Sequence, residues 1–167
     1  MSEISLDLKP LTRAGFAAFG DVIESDARDS FLINHDMAER FHELASVDLR
    51  GEDARAIISL VNSRKYEMPR KVDHVEYHPL GSQAFVPLCD SPFIVVVAPA
   101  GEVPDGSRLA AFVTNGQQGV NYHCGTWHHV LLTPYSAMTF LCIDRAGKGN
   151  NCIDYFFDED EQRLLAL

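Results

Sequence analysis

From residue 56 onward the chain is cut into short apolar and β-branched runs, each closed by turn residues before a helix could take it over. Residues 56–61 read Ala-Ile-Ile-Ser-Leu-Val and residues 93–98 read Phe-Ile-Val-Val-Val-Ala. Further runs occupy 71–78, 84–86, 109–114, 119–123, 127–132 and 138–144. Between them stand Pro79-Leu80-Gly81, Pro99-Ala100-Gly101, Pro104-Asp105-Gly106, Asn115-Gly116, Cys124-Gly125 and Ala146-Gly147. Proline presets φ, and glycine and asparagine accept the left-handed region, so each spacer reads as a turn. Short strands this close together can bury their apolar faces only as packed sheets or a closed barrel, so the fold class expected is mainly β. Residues 4–8 read as a first strand. Two short helices are expected at the flanks. Thr12 is an N-cap for one, with Phe16 and Phe19 on a shared face and Gly20 as its stop. The acidic run Asp158-Glu159-Asp160-Glu161 opens the other, over residues 162–166.

The 167 residues fit one domain over 1–167, with no repeat and no low-complexity linker. The formal net charge of −10 disfavours nucleic acid and anionic membrane surfaces as partners. It also gives an anionic ligand no long-range attraction, so positive groups inside a pocket must hold one. The longest apolar run, 93–98, is far too short to span a bilayer. The start, MSEISLDLKPL, has neither the basic nor the apolar region of a signal peptide. Cys89, Cys124, Cys142 and Cys152 form no CxxC pair. The expectation is a cytoplasmic protein with reduced thiols.

Two segments carry chemistry. In 71–78 strand alternation puts Val72, His74, Glu76 and His78 on one face, with Val75 and Tyr77 on the other. A carboxylate and imidazoles are costly to bury unless paired or bound to metal, so this face is either solvated or lines a pocket. The second segment, Gly119 to His129, packs Tyr122, His123, Trp127, His128 and His129 around a turn at Gly125. His128 shares a face with Val130, so it points inward if Val130 does, while His129 points to the other face. Two His-rich strand segments in one small chain favour a pocket. Trp127 and Phe85 are read as packing residues, and Cys124 is given no role.

These segments resemble the two motifs of a cupin barrel. The first motif is usually His-x-His, four residues, then Glu; here it reads Glu76-x-His78, four residues, then Gln83. The second usually ends Pro-x-Gly-x-x-His; here it reads His123-Cys124-Gly125-Thr126-Trp127-His128. The resemblance puts Glu76, His78, Gln83 and His128 at the four metal-ligand positions. Oxygen donors and two imidazoles suit a divalent ion. Gln83 is a neutral and weaker ligand, so the same residues could instead meet the substrate directly.

A closer resemblance, from about residue 8 to about 152, is to the ureidoglycolate lyases. It rests on Phe19-Gly-Asp-Val-Ile23, Ile33-Asn34, Glu39-Arg-Phe-His42, Glu76-x-His-Pro-Leu-Gly-Ser-Gln-Ala-Phe-x-Pro87, Val95-Val-Val-Ala98, Ala111-Phe-x-Thr-Asn-Gly116, Gln118-Gly-Val-Asn-Tyr-His123, Trp127-His-His129 and Ile143-Asp-Arg145. It implies a single-domain, cupin-like antiparallel β-barrel with short flanking helices, a homodimer, and a divalent metal, nickel in that family. The implied reaction splits (S)-ureidoglycolate into glyoxylate and urea during allantoin breakdown. On that reading His128, Glu76, His123 and Tyr122 are the catalytic candidates. Arg145, Arg40, Asn34 and Gln83 are the substrate-binding candidates, because a guanidinium matches a carboxylate bidentately and amides read the ureido end. An amidohydrolase releasing ammonia and carbon dioxide, and a non-catalytic sensor of small acids, are the alternatives.

Overall fold

The computed structural model describes residues 4–26 and 30–167; residues 1–3, inspected above for a targeting signal, lie outside it. Two sheets dominate. The six-stranded sheet runs, edge to edge, β1 (Leu8–Pro10), β10 (Ala110–Val113), β9 (Ile94–Ala98), β12 (Trp127–His128), β7 (His74–Tyr77) and β14 (Ile153–Phe156). The five-stranded sheet runs β2 (Gly20–Ile23), β11 (Gly119–Tyr122), β8 (Gln83–Pro87), β13 (Met138–Ala146) and β5 (Arg55–Ser63). Within these sheets only β1 and β10 pair in parallel. Two hairpin-like pairs complete the fold: β6 (Arg70–Val72) with β15 (Arg163–Leu165), and β3 (Ser30–Ile33) with β4 (Ala38–Phe41).

Side-chain alternation sorts the core into two clusters. Val95, Val97 and Phe112 of the six-stranded sheet meet Phe85, Val120, Tyr122 and Phe140 of the five-stranded sheet. Their neighbours Ile94, Val96, Ala98 and Ala111 face the other way, into a second cluster with Val72, Val75, Trp127 and Leu165. β9 is therefore buried on both faces, with every residue from Ile94 to Ala98 at 0% exposure. That explains its unbroken apolar run, since a strand covered on both sides has no polar face to alternate with. The mainly-β class expected from the sequence is the class adopted, as packed sheets compatible with a cupin-like fold.

Several expectations change. The first helix is a single turn, Arg13–Phe16, although Thr12 caps it as expected, its Oγ1 accepting from the Gly15 amide at 3.1 Å. Gly20 does not stop a helix; it opens β2, where an added Cβ would lie 2.0 Å from the Asn121 carbonyl oxygen. The C-terminal helix does not form. Asp158 to Glu161 make a turn, and Arg163–Leu165 become β15, which carries Leu165 into the second cluster at 0% exposure. Covering apolar surface outweighs the weak local propensity of a short acidic-capped segment. The run at 71–78 breaks at Asp73, so Val72 and Glu76 belong to different sheets. In the run at 127–132 the strand ends at His128 and the chain rejoins β9 at the Leu132–Ile94 bridge; Val130 packs against the second cluster and also lines the cavity that Glu76 faces.

His129 is 1% exposed, and its Nδ1–H donates to the His74 carbonyl at 2.7 Å. Burial pushes its imidazole from 6.5 down to about 4. Between those values the unfolded chain holds a proton that the folded chain lacks. The stability His129 contributes is therefore complete above 6.5 and lost as the pH falls toward about 4. His129→Gln is expected to lose less stability than the wild type between neutral pH and about 4, read as urea midpoints; parallel losses would contradict this. Phe140, fully buried, packs edge-on against Phe93 at 5.0 Å. Phe140→Ala is expected to cost about 3–5 kcal/mol, checked by denaturant unfolding.

Candidate active site

Strand register builds the site. Val75 points into the second cluster, so by the period of two Glu76 turns to the face between the sheets. His128 on β12 is the direct cross-strand partner of Glu76, and opposed side chains on one face come within contact distance. Gln83 on β8 is likewise opposite Tyr122 on β11. His78 follows β7 into the Pro79-Leu80 turn.

The side chains converge. His128 Nε2 lies 3.4 Å from Glu76 Oε1, and His78 Nε2 lies 3.8 Å from the same oxygen. Gln83 Oε1 is 3.1 Å from His78 Nε2, and Gln83 Nε2 donates to Asp144 Oδ2 at 3.2 Å. The Tyr122 ring stacks on His128, centroids 4.2 Å apart and 13° from parallel. Each imidazole is oriented from behind. His78 Nδ1 meets the Asn151 carbonyl, and His128 Nδ1 meets the Thr126 carbonyl at 3.1 Å. A carbonyl oxygen only accepts, so each ring carries its proton at Nδ1. When neutral, each turns an Nε2 lone pair toward Glu76.

The electrostatics follow. The neighbouring His128, then His78 and the Cys152 thiol, hold the Glu76 carboxyl at about 2 against burial, which pushes it up. Glu76 is an anion at neutral pH and a weak base. Burial, reinforced by the Glu76 charge, raises the Tyr122 phenol above its ordinary range, so it stays neutral. His128 Nε2 and Tyr122 Oη are both buried without a hydrogen-bond partner.

This donor set fits a divalent ion. Glu76, His78 and His128 offer ligand atoms within 4.8 Å of one another. Gln83 Oε1 beside the His78 Nε2 lone pair is a second acceptor with no proton between them. Imidazoles fixed through Nδ1–H to carbonyls are the usual outer support of metal-bound histidines.

The other expected site residues lie elsewhere. His123 follows Tyr122 in the chain and so faces the opposite side, where it is 48% exposed and 3.2 Å from Asp21 Oδ1. Arg145 is 6% exposed, and its guanidinium donates to the carbonyls of Arg50, Glu52 and Lys148; it ties two loops together and leaves no fork free for a carboxylate. Arg40 borders a groove of about 620 Å³ with His42, Ser46 and Asn121, on the outer face of the five-stranded sheet. Asn34 sits in the exposed turn of the β3–β4 hairpin, left-handed at φ 55°. Glu76 instead faces a cavity of about 560 Å³ floored by Phe85 and Leu131 and edged by Arg64 and Lys65. Sequence reasoning passed over that cationic pair, though two adjacent positive residues after a β run in an acidic chain were a readable signal.

The packed sheets and the carboxylate–imidazole centre between them define a mainly-β protein of cupin-compatible fold. Residues 3–163 match the family described as Ureidoglycolate lyase. A ureidoglycolate lyase of Pseudomonas fluorescens (strain Pf0-1) is 52% identical over 162 residues, 97% of each chain. One of Pseudomonas paraeruginosa is 52% identical over 161 residues, 96% of this chain and 95% of its own. One of Stutzerimonas stutzeri is 50% identical over 161 residues, with the same coverage. The chain belongs to the ureidoglycolate lyase family, as the sequence resemblance implied.

Glu76→Gln is expected to weaken nickel(II) binding by about tenfold or more, and Gln83→Glu to tighten it, in calorimetric titration of the purified chain. Unchanged affinity in both variants would show that these side chains do not hold the ion.

Proposed function

We propose that this chain is a ureidoglycolate lyase that splits (S)-ureidoglycolate into glyoxylate and urea. The observation that carries the reading is the buried His128 Nε2, unpartnered and 3.4 Å from an ionised Glu76, in a chain of this family. The substrate is a hemiaminal, one carbon bearing a carboxylate, a hydroxyl and a urea nitrogen. Cleavage needs no water and no covalent intermediate. The hydroxyl proton leaves, the C–O bond becomes a carbonyl, the C–N bond breaks, and the urea nitrogen gains a proton.

His128 can supply both proton steps. Its Nε2 lone pair takes the hydroxyl proton, Glu76 stabilises the resulting imidazolium, and the same proton passes to the departing nitrogen. Such transfer typically contributes about 10²–10⁴-fold. Tyr122 keeps the ring in plane by stacking, and its neutral hydroxyl is a hydrogen-bond donor available to the substrate. A divalent ion, nickel on the family reading, would be held by Glu76, His78, Gln83 and His128 and would supply a Lewis acid that lowers the hydroxyl pKa. With His128 as its ligand, the hydroxyl proton would pass to another base near the substrate, and the neutral Tyr122 phenol would serve only as a donor.

The same reading puts the protein in allantoin breakdown in the cytoplasm, as a homodimer. Phe31, Leu32 and Met37 on the β3–β4 hairpin are 48%, 58% and 84% exposed, apolar surface suited to a second copy. Among the described residues no helix is long and apolar enough to cross a membrane.

His128→Ala is expected to cut urea release from racemic ureidoglycolate by about 10²-fold or more with the fold intact by circular dichroism. Wild-type rates in that variant, or ammonia in place of urea from the wild type, would overturn the reading. Binding without turnover would make the protein a sensor.

A further inference from the structure

The substrate and the product glyoxylate both carry a carboxylate. The centre that should receive them is rich in carboxyl groups. Three carboxyl groups gather there: Glu76 itself, Asp144 behind Gln83, and Asp154, the cross-strand partner of Glu76 on β14. With a formal net charge of −10, the chain offers an anion nothing at long range. The attraction must come from local cations.

Several of the described cations are engaged. Arg13 pairs with Glu24 and Asp26, Arg50 with Asp48, and Lys148 with Glu52 and Asp53. Arg145 and Arg163 donate to backbone carbonyls, and Arg70 lies over the Tyr66 ring. Among the described residues the cavity facing Glu76 is lined by two cations, Arg64 and Lys65. Neither side chain has a hydrogen bond or ion pair with another described residue. Their backbone is fixed all the same. Thr133, at 0% exposure, donates through Oγ1 to the Arg64 carbonyl at 2.8 Å, lies 2.9 Å from Ser63 Oγ, and accepts from the Tyr66 amide at 3.1 Å. The pair therefore projects from a pinned shelf at the mouth of a cavity of about 560 Å³, within the range that encloses small metabolites.

We propose that Arg64 and Lys65 form the carboxylate subsite of this cavity: Arg64 grips the substrate carboxylate bidentately and Lys65 adds a second positive charge. The inference rests on the lyase reading of the Glu76–His128 centre and assigns the anion-holding role to residues other than Arg145 and Arg40. Guanidinium geometry matches a carboxylate, and the apolar floor of Phe85 and Leu131 reduces the screening that water would impose. With the carboxylate held by this pair, the rest of the substrate extends along the cavity toward Glu76, whose Oε1 lies 3.4 Å from His128 Nε2.

The test uses Arg64→Gln, Lys65→Gln, the double variant and Arg64→Lys, with steady-state kinetics on ureidoglycolate and product inhibition. Arg64→Gln is expected to raise KM about tenfold or more with a smaller effect on kcat, and Arg64→Lys to recover part of the loss. Inhibition by glyoxylate should weaken in step with KM, whereas inhibition by urea, which has no carboxylate, should not change. Unchanged KM and unchanged glyoxylate inhibition in the double variant would overturn the subsite. Equal weakening toward urea and glyoxylate would also overturn it, by making the pair a shape element of the cavity. Calorimetric binding of glyoxylate to wild type and double variant separates the two levels of the argument. A wild type that binds glyoxylate through this pair but releases no urea from ureidoglycolate would sink the lyase reading and keep the anion subsite. A wild type that releases urea, with glyoxylate binding equal in both proteins, would do the reverse.

Discussion

The site depends on a single register, the pairing of Glu76 with His128 across β7 and β12. Strand side chains alternate strictly, so sliding either strand by one residue would send Glu76 into the outer apolar cluster and bring Val75 to the inner face. The apolar side enforces the register. Val75 and Trp127, buried at 0% and 3%, can reach the second cluster only when Glu76 and His128 face inward together. The pair costs desolvation, since a carboxylate and an imidazole leave water. The burial of their sequence neighbours offsets that cost, which lets a two-residue strand such as β12 hold a chemically demanding position.

The supports behind the pair are backbone carbonyls rather than charges. The Thr126 carbonyl fixes the ring of His128 and the Asn151 carbonyl fixes that of His78. Asn151 also accepts the Leu80 amide through Oδ1 at 2.8 Å, so the turn after β7 and the approach to β14 lock to each other through one residue. A carbonyl orients an imidazole and sets its tautomer without adding the full negative charge of a second carboxylate. The local charge thus stays concentrated on Glu76, where an ion or a developing imidazolium would use it.

Much of this was legible in the chain. The segmentation into short strands gave the fold class, and the polar row ending at Glu76 and His78 marked the pocket wall. Gln83 and His128 were named from motif spacing and Tyr122 from the family resemblance, and the three do meet there. What the sequence hid was three-dimensional. Tyr122 and His123 are neighbours in the chain, but strand alternation sends them to opposite faces, so only Tyr122 joins the centre. Arg145 has the right chemistry for a carboxylate, yet three carbonyls claim its donors. The terminal segment has local helix signals, but the apolar surface around Val72 needed a cover and Leu165 supplied it.

The same reasoning explains where the cations of this acidic protein ended up. A guanidinium buried among carbonyls, as in Arg145, has its Nε and Nη2 donors committed and cannot exchange those partners for a ligand without breaking the loop it ties. A cation that is to bind and release an anion on every turnover must instead remain solvated and unpaired while its backbone is held still. Arg64 and Lys65 meet both conditions: exposed side chains stand on a backbone anchored by the buried Thr133. Exposure is here what a reversible anion subsite requires. The cavity thus has Arg64 and Lys65 on one side and Glu76 on another. A carboxylate held by the pair leaves Glu76 and His128 to the hydroxyl and the urea nitrogen.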